Sequence, residues 1–159
     1  MDKPDYFRDP PPRRTGALGW LEKPDGRFAV IRRTHWTPIS RWGLPGGSAP
    51  PNTHPRSALT LVTEAKLGLR ITPGRKLASD YAPHKPGQHE GTNEIYHVAV
   101  PSSAEAEIAA DCGYVELRWV TLAQACELAV DHERWRIEQC AQALADGSYR
   151  DLYLGLPFH

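Results

Sequence analysis

The stretch WGLPGGSAPPNTHPRSALTLVTEAKLGL, Trp42 to Leu69, decides how the chain is read. Trp42 to Pro51 is heavy in Gly and Pro and reads as a loop. A helix follows it. Pro55 suits the first turn, where a missing N–H costs nothing, and Asn52, Thr53 or His54 supplies the cap. Gly68 suits the position just past the helix, where a left-handed residue ends it. Val62, Ala65 and Lys66 are three and four residues apart and so share one helical face. Glu64 is the helix's carboxylate, but it sits about 200° around the helix from Val62 and points elsewhere.

On either side the chain is organised as strands and helices. Gly16 to Leu21 and Arg27 to Arg32 are β-leaning runs. The Asp-Gly of Lys23-Pro24-Asp25-Gly26 marks the turn of a hairpin between them. Lys76 to Tyr81, Glu94 to Val100 and Tyr114 to Val120 read as three further strands, and Pro83 to Asn93 as a polar connection. Thr121 caps a short helix through Leu128. His132 to Leu144 reads as a longer helix with Trp135, Ile137, Cys140, Ala141 and Leu144 on its apolar face. Asp151 to His159 is an aromatic and apolar tail expected to pack down. Strands, helix, strands and helices in this order imply an α/β (α+β) class with helices packed on a mixed sheet. Residues 1–14, with Pro10-Pro11-Pro12-Arg13-Arg14, read as an extended arm, either a free tail or a strap over a ligand mouth. Residues 15–159 read as a single domain, consistent with a chain of 159 residues.

Gly47 and Gly68, the lead-in Trp42-Gly43-Leu44-Pro45-Gly46-Gly47 and the closing Leu69 together resemble the Nudix box, the signature of the nucleoside-diphosphate-linked hydrolases of that superfamily. Ala58 and Leu59 stand where the box has small apolar helix residues. The likeness extends to Val30-Ile31-Arg32-Arg33 before the box and to Leu117-Arg118-Trp119-Val120-Thr121-Leu122 near the end. The resemblance implies a Nudix-type α/β/α sandwich with a mixed sheet.

The box departs from the pattern at its charged positions. Thr53 replaces the first acidic residue, Leu61 the arginine, and Val62, Ala65 and Lys66 the glutamates. Thr63 occupies an aliphatic position. Three carboxylates on that helical face would offer a hard oxygen site to Mg²⁺, which would polarise a diphosphate and activate water. Val62 and Ala65 carry no oxygen donor. Lys66 would set a like charge beside the metal, at a cost of roughly 4 kcal/mol at 4 Å even with an effective dielectric of 20. No cofactor is therefore expected, and Mg²⁺ only if carboxylates such as Glu64, Glu90 or Glu94 do the work of the missing ones.

Lys66 is instead expected to meet a phosphate directly as a point charge. Arg32 and Arg33 alternate on a strand leading to the pocket, so one should face inward. Gly46 and Gly47 belong to the loop at the expected ligand site. Trp42 and Tyr96 are either stacking surfaces for a ring or members of the core. The resemblance implies that a catalytic base in some relatives comes from a loop such as His84 to Gly91. Either His89 or Glu90 would serve there, and the same loop also reads as plain polar surface. His84, His89 and His97 match no zinc spacing.

Lys+Arg and Asp+Glu balance at 19 each, so composition points to neither nucleic acid nor an acidic membrane. No apolar run approaches a membrane span, and the N-terminus lacks the apolar core of a secretory signal. Cys112, Cys126 and Cys140 are widely spaced and odd in number, which suits free thiols in the cytoplasm. Three functions are compatible with this reading. The first is a phosphorylated-ligand binder, or an enzyme acting on such a ligand without the family's Mg²⁺ mechanism. The second is a pyrophosphohydrolase with relocated carboxylates. The third is a protein-interaction module. A homodimer is compatible with all three.

Overall fold

The structure, a computed structural model, describes residues 3–34 and 42–158. Residues 1 and 2 of the arm and His159 of the tail lie outside the described residues. The hairpin forms where the Asp-Gly signal placed it, from β1 (Arg14–Glu22) and β2 (Phe28–Arg33). Lys23 N–H bonds Arg27 C=O at 2.8 Å across the turn. Two short strands, β3 (Trp42–Gly43) and β4 (Gly46–Ser48), precede α1 (Pro55–Leu67). Then come β5 (Lys76–Ala82), β6 (Gly91–Ala99), β7 (Tyr114–Val120), α2 (Leu122–Leu128), α3 (Asp131–Asp146), β8 (Arg150–Tyr153) and β9 (Leu156–Pro157).

The described strands join in one mixed sheet. Its main path runs β3-β2-β1-β6-β5-β8-β9, with β4 paired to β1 and β7 to β2. β1 and β6 are parallel, as are β5 and β8, and the remaining pairings are antiparallel. Both faces of the central strands are covered, which explains their nearly unbroken apolar runs. Ala17, Leu21, Ala29 and Ile31 face α1 through Ala58, Leu59 and Leu67. Trp20, Phe28, Val30 and Ile95 face α2 and α3 through Ala125, Ile137, Cys140 and Ala143. Layers of helix, sheet and helix result, as the resemblance implied.

Local chemistry explains the helix ends. The His54 imidazole accepts the Arg56 N–H at 3.1 Å, and Gly68 closes α1 at φ 67°. Thr121 and Gln124 form a reciprocal capping box, with bonds of 3.3 and 2.9 Å. Thr121→Ala should therefore cost about 1 kcal/mol, measured by urea denaturation. A loss below roughly 0.3 kcal/mol would mean that packing alone holds α2.

Three expectations need correction. Trp42 to Pro51 is not wholly loop, because Gly46–Ser48 pairs with Gly16–Leu18. That pairing is close enough to require glycine: at φ 154°, a Cβ on Gly46 would stand 2.0 Å from the Ala17 carbonyl oxygen. The tail packs down only in part. Leu152 is buried, but Leu156 and Phe158 are 47% and 64% exposed, because β8 and β9 form the sheet edge. The inward face of α3 is not purely apolar. Ile137 and Cys140 are buried as expected, but so are Glu133 and Arg136.

Candidate functional site

A cavity of about 800 Å³ opens where β1, β2, the Leu44–Ser48 turn, α1, the β5–β6 connection and α3 meet. The β4 pairing brings Gly46 and Gly47 to its wall. Lys66 comes from the last turn of α1. The face carrying Val62 and Lys66 turns toward Gly47: a Cβ built there would lie 3.1 Å from Val62 Cγ2 and 3.7 Å from Lys66 Nζ.

Tyr114, at the start of β7, ties this corner together. Its hydroxyl accepts the Gly46 N–H at 2.8 Å and donates to the Gly46 carbonyl. The Arg33 guanidinium and the Lys66 ammonium both stand over its ring, at 5.3 and 4.7 Å from the centroid. Such contacts favour cations near an aromatic face. Arg33 also donates to the Leu44 and Gly46 carbonyls, at 3.3 and 3.4 Å. Burial draws its pKa below the ordinary arginine value. Lys66 is shifted the same way, first by burial and then by the Arg33 charge, with Cys112 opposing.

The opposite wall is built around a buried ion-pair network. Arg136 Nε meets Asp80 Oδ2 at 2.6 Å, and Arg136 Nη1 meets Glu133 Oε2 at 3.0 Å. Asp80 Oδ1 also accepts the Gly155 N–H at 2.9 Å. The turn carrying Leu154, which lines the cavity, is thereby fastened to β5. Burial opposes the Arg136 charge, but Glu133 and Asp80 outweigh it and raise the Arg136 pKa above the ordinary value. Arg14, at the first position of β1, donates to Asn93 Oδ1 at 3.1 Å and lines the cavity as well.

The lining is strongly biased in charge. It contains Arg14, Arg33, Lys66, Lys85 and Arg136 against one carboxylate, Glu133. This local excess lies within a chain whose overall formal charge is zero. A concave site of one sign concentrates the opposite ion.

The residues picked out from the sequence divide into two groups. Arg33, Gly46, Gly47 and Lys66 line the cavity. Arg33 is the inward member of its pair; Arg32 lies 3.6 Å from Glu116 on the outside. The pairing of β2 with β7 shifts register between Arg32 and Arg33. Trp42 packs beside the α3-side core, with the Arg118 guanidinium 4.8 Å from its ring. Tyr96 is buried in the α1-side core, with Arg56 over it. Neither ring lines the cavity.

His89 is exposed and also lies outside the lining. Glu90 accepts the Tyr81 hydroxyl and Arg13 Nε, the latter at 2.6 Å. These bonds, Tyr81's first, hold its pKa below the ordinary carboxylate value. The same connection contributes His84, Lys85 and Gln88 to the cavity instead. Glu64 pairs with Arg70 at 3.1 Å on the exposed side of α1, and Glu94 pairs with Lys76 at 2.9 Å. The sequence reading missed Arg14, Glu133 and Arg136. Arg14 was hidden in a proline-rich arm, whereas Glu133 and Arg136 look like an ordinary i,i+3 surface pair. Among the described residues, no group of three or more His, Cys, Asp or Glu is placed to hold a metal ion.

The fold is a three-layer domain with helices on both faces of a mixed sheet, and comparison with known proteins identifies its family. A sequence model of the NUDIX domain matches residues 12–141, and the chain belongs to that family. No curated protein matches. Among solved structures, the chain is similar to a MutT protein from Methanosarcina mazei, with a TM-score of 0.68 at 14% identity, covering 86% of this chain and 96% of that one. The NUDIX domain of Shewanella oneidensis NrtR, solved with ADP ribose, gives 0.67 at 16% identity, covering 91% and 99%. The dihydroneopterin triphosphate pyrophosphohydrolase of E. coli gives 0.61 at 16% identity, covering 79% and 92%. At these identities the likeness is one of fold, on which function has to be argued from the site.

Proposed function

We propose that this Nudix domain binds a nucleotide or other phosphorylated small molecule directly through basic side chains, without the family's Mg²⁺-dependent mechanism. The observation that carries this reading is the cavity lining, five cations against one carboxylate. Lys66 stands on the α1 face where a working box would present glutamates, beside Val62 and Ala65. That donor set does not fit Mg²⁺, a hard cation that needs oxygen ligands. Arg14, Arg33, Lys66 and Lys85 are the groups to meet phosphate oxygens. Arginine suits this because its planar fork offers paired donors to a phosphate. Arg136 is held by Asp80 and Glu133 and serves to shape the wall. Glu133 is left as an acceptor for a hydroxyl or amine of the ligand. Free Cys112, Cys126 and Cys140 suit a cytoplasmic setting.

The alternative of a hydrolase with relocated carboxylates has less to support it. Glu64, Glu90 and Glu94 all pair outside the cavity.

Calorimetry with pyrophosphate and with ADP-ribose, each with EDTA or with Mg²⁺, tests the reading. Binding should persist in EDTA and should not tighten with Mg²⁺. Binding that appears only with Mg²⁺, accompanied by phosphate release, would overturn it in favour of the hydrolase. No binding of either compound would leave the interaction module as the better account.

A further inference from the structure

Of the two lysines that line the cavity, Lys66 is part-buried and Lys85 is exposed. Arg136 is neutralised by two carboxylates, whereas no carboxylate pairs with Lys66 among the described residues. Its amine is part-buried, lies over the Tyr114 ring and is next to the Arg33 charge. It also borders the Gly46–Gly47 backbone, where the absence of a Gly47 side chain leaves space beside the nitrogen. Desolvation and a neighbouring cation are the conditions under which a lysine amine becomes a nucleophile. Among the described residues, Tyr114 from β7, Arg33 from β2 and Cys112 ahead of β7 are the titratable or charged groups facing it. The direction of its shift agrees with that environment.

We propose that Lys66 is a covalent capture site for phosphorylated aldehydes, forming an imine while the cavity's guanidinium groups hold the phosphate. This rests on the reading of the cavity as a phosphate site. The unprotonated Nζ lone pair adds to the aldehyde carbon, and the carbonyl oxygen takes up the amine proton through solvent to give a carbinolamine. A proton from solvent joins that hydroxyl, return of the nitrogen lone pair expels it as water, and the remaining N–H proton passes to solvent, leaving the C=N bond. One water is released, and no oxidant or reductant is consumed. The phosphate held by Arg14 and Arg33 sets the aldehyde near the amine, so that addition becomes effectively intramolecular.

The test uses glycolaldehyde phosphate, with unphosphorylated glycolaldehyde as control, followed by cyanoborohydride reduction and peptide mass mapping. The chain has five lysines, Lys3, Lys23, Lys66, Lys76 and Lys85, so selectivity is measured within one molecule. Lys66 should be labelled at least roughly tenfold faster than the other four, a small part of what positioning can supply. The preference should vanish without the phosphate group and be blocked by pyrophosphate. Lys66→Arg should give no adduct at that position, with its fold checked by circular dichroism. Labelling spread evenly over the lysines, or a Lys66 adduct indifferent to pyrophosphate, would overturn the proposal. Calorimetry of pyrophosphate separates the two ideas. Tight pyrophosphate with unselective labelling sinks the covalent site and leaves the phosphate site standing. Absence of binding by both pyrophosphate and ADP-ribose sinks both.

Discussion

Arg136→Met should lower the unfolding free energy by about 3–5 kcal/mol, the cost of leaving buried charge without its partner. Arg136 is 4% exposed and sits between Asp80 and Glu133, which are 1% and 6% exposed. Removing the guanidinium leaves two carboxylates facing each other in a poorly solvated wall. Asp80 also holds the Gly155 N–H, so the Leu154 turn should loosen with the pair. Urea denaturation measures the loss. Adding Asp80→Asn and Glu133→Gln to Arg136→Met should recover much of it, since the uncompensated charge then disappears. A loss under about 1 kcal/mol for Arg136→Met would show that water reaches the network and that it is no more than a surface pair.

Lys66→Glu should weaken pyrophosphate binding about 10- to 100-fold, the range for losing a charged hydrogen bond of about 1.5–3 kcal/mol. The substitution removes one cation and also places a carboxylate within reach of Arg33, which lines the same corner. Lys66→Ala should cost less, because it removes one cation without adding an anion beside Arg33, which still lines the cavity. Unchanged affinity in Lys66→Glu would place the anion elsewhere in the cavity, against Arg14 and Lys85. The triple change Val62→Glu, Ala65→Glu and Lys66→Glu tests the same face from the other direction. It should create measurable Mg²⁺ affinity, because it restores three oxygen donors on one side of α1. Calorimetry with Mg²⁺ on the triple variant and on the natural chain gives the comparison.

The architecture was legible because its signals are local or strictly periodic. Pro55, Gly68 and Thr121 mark helix ends by their own backbone chemistry, and each lies at such an end. The strand positions followed from apolar runs that are buried on both sheet faces. Gly26 marked the hairpin turn for the same kind of reason. The short strands β3 and β4 were not legible, because a two- or three-residue strand has no period to detect. The pairing that defines β4 is with β1, about thirty positions away in sequence.

The candidate site divides along the same line. The Nudix resemblance implied the three layers; the sequence by itself determined the α+β class, the bounds of the helix carrying Lys66, and the absence of carboxylates at Val62 and Ala65. These follow from residue identity and helical spacing. Only the tertiary structure decided that Arg33 rather than Arg32 faces the cavity, since a register shift opposite β7 lies between them. Only the tertiary structure brought Arg14, Lys85 and the Asp80–Arg136–Glu133 network to the same cavity. In sequence these residues lie in an arm, a polar loop and an apparently solvated helix face. Their charge becomes informative only where folding removes water from around it, and burial of that kind is a property of non-local contacts.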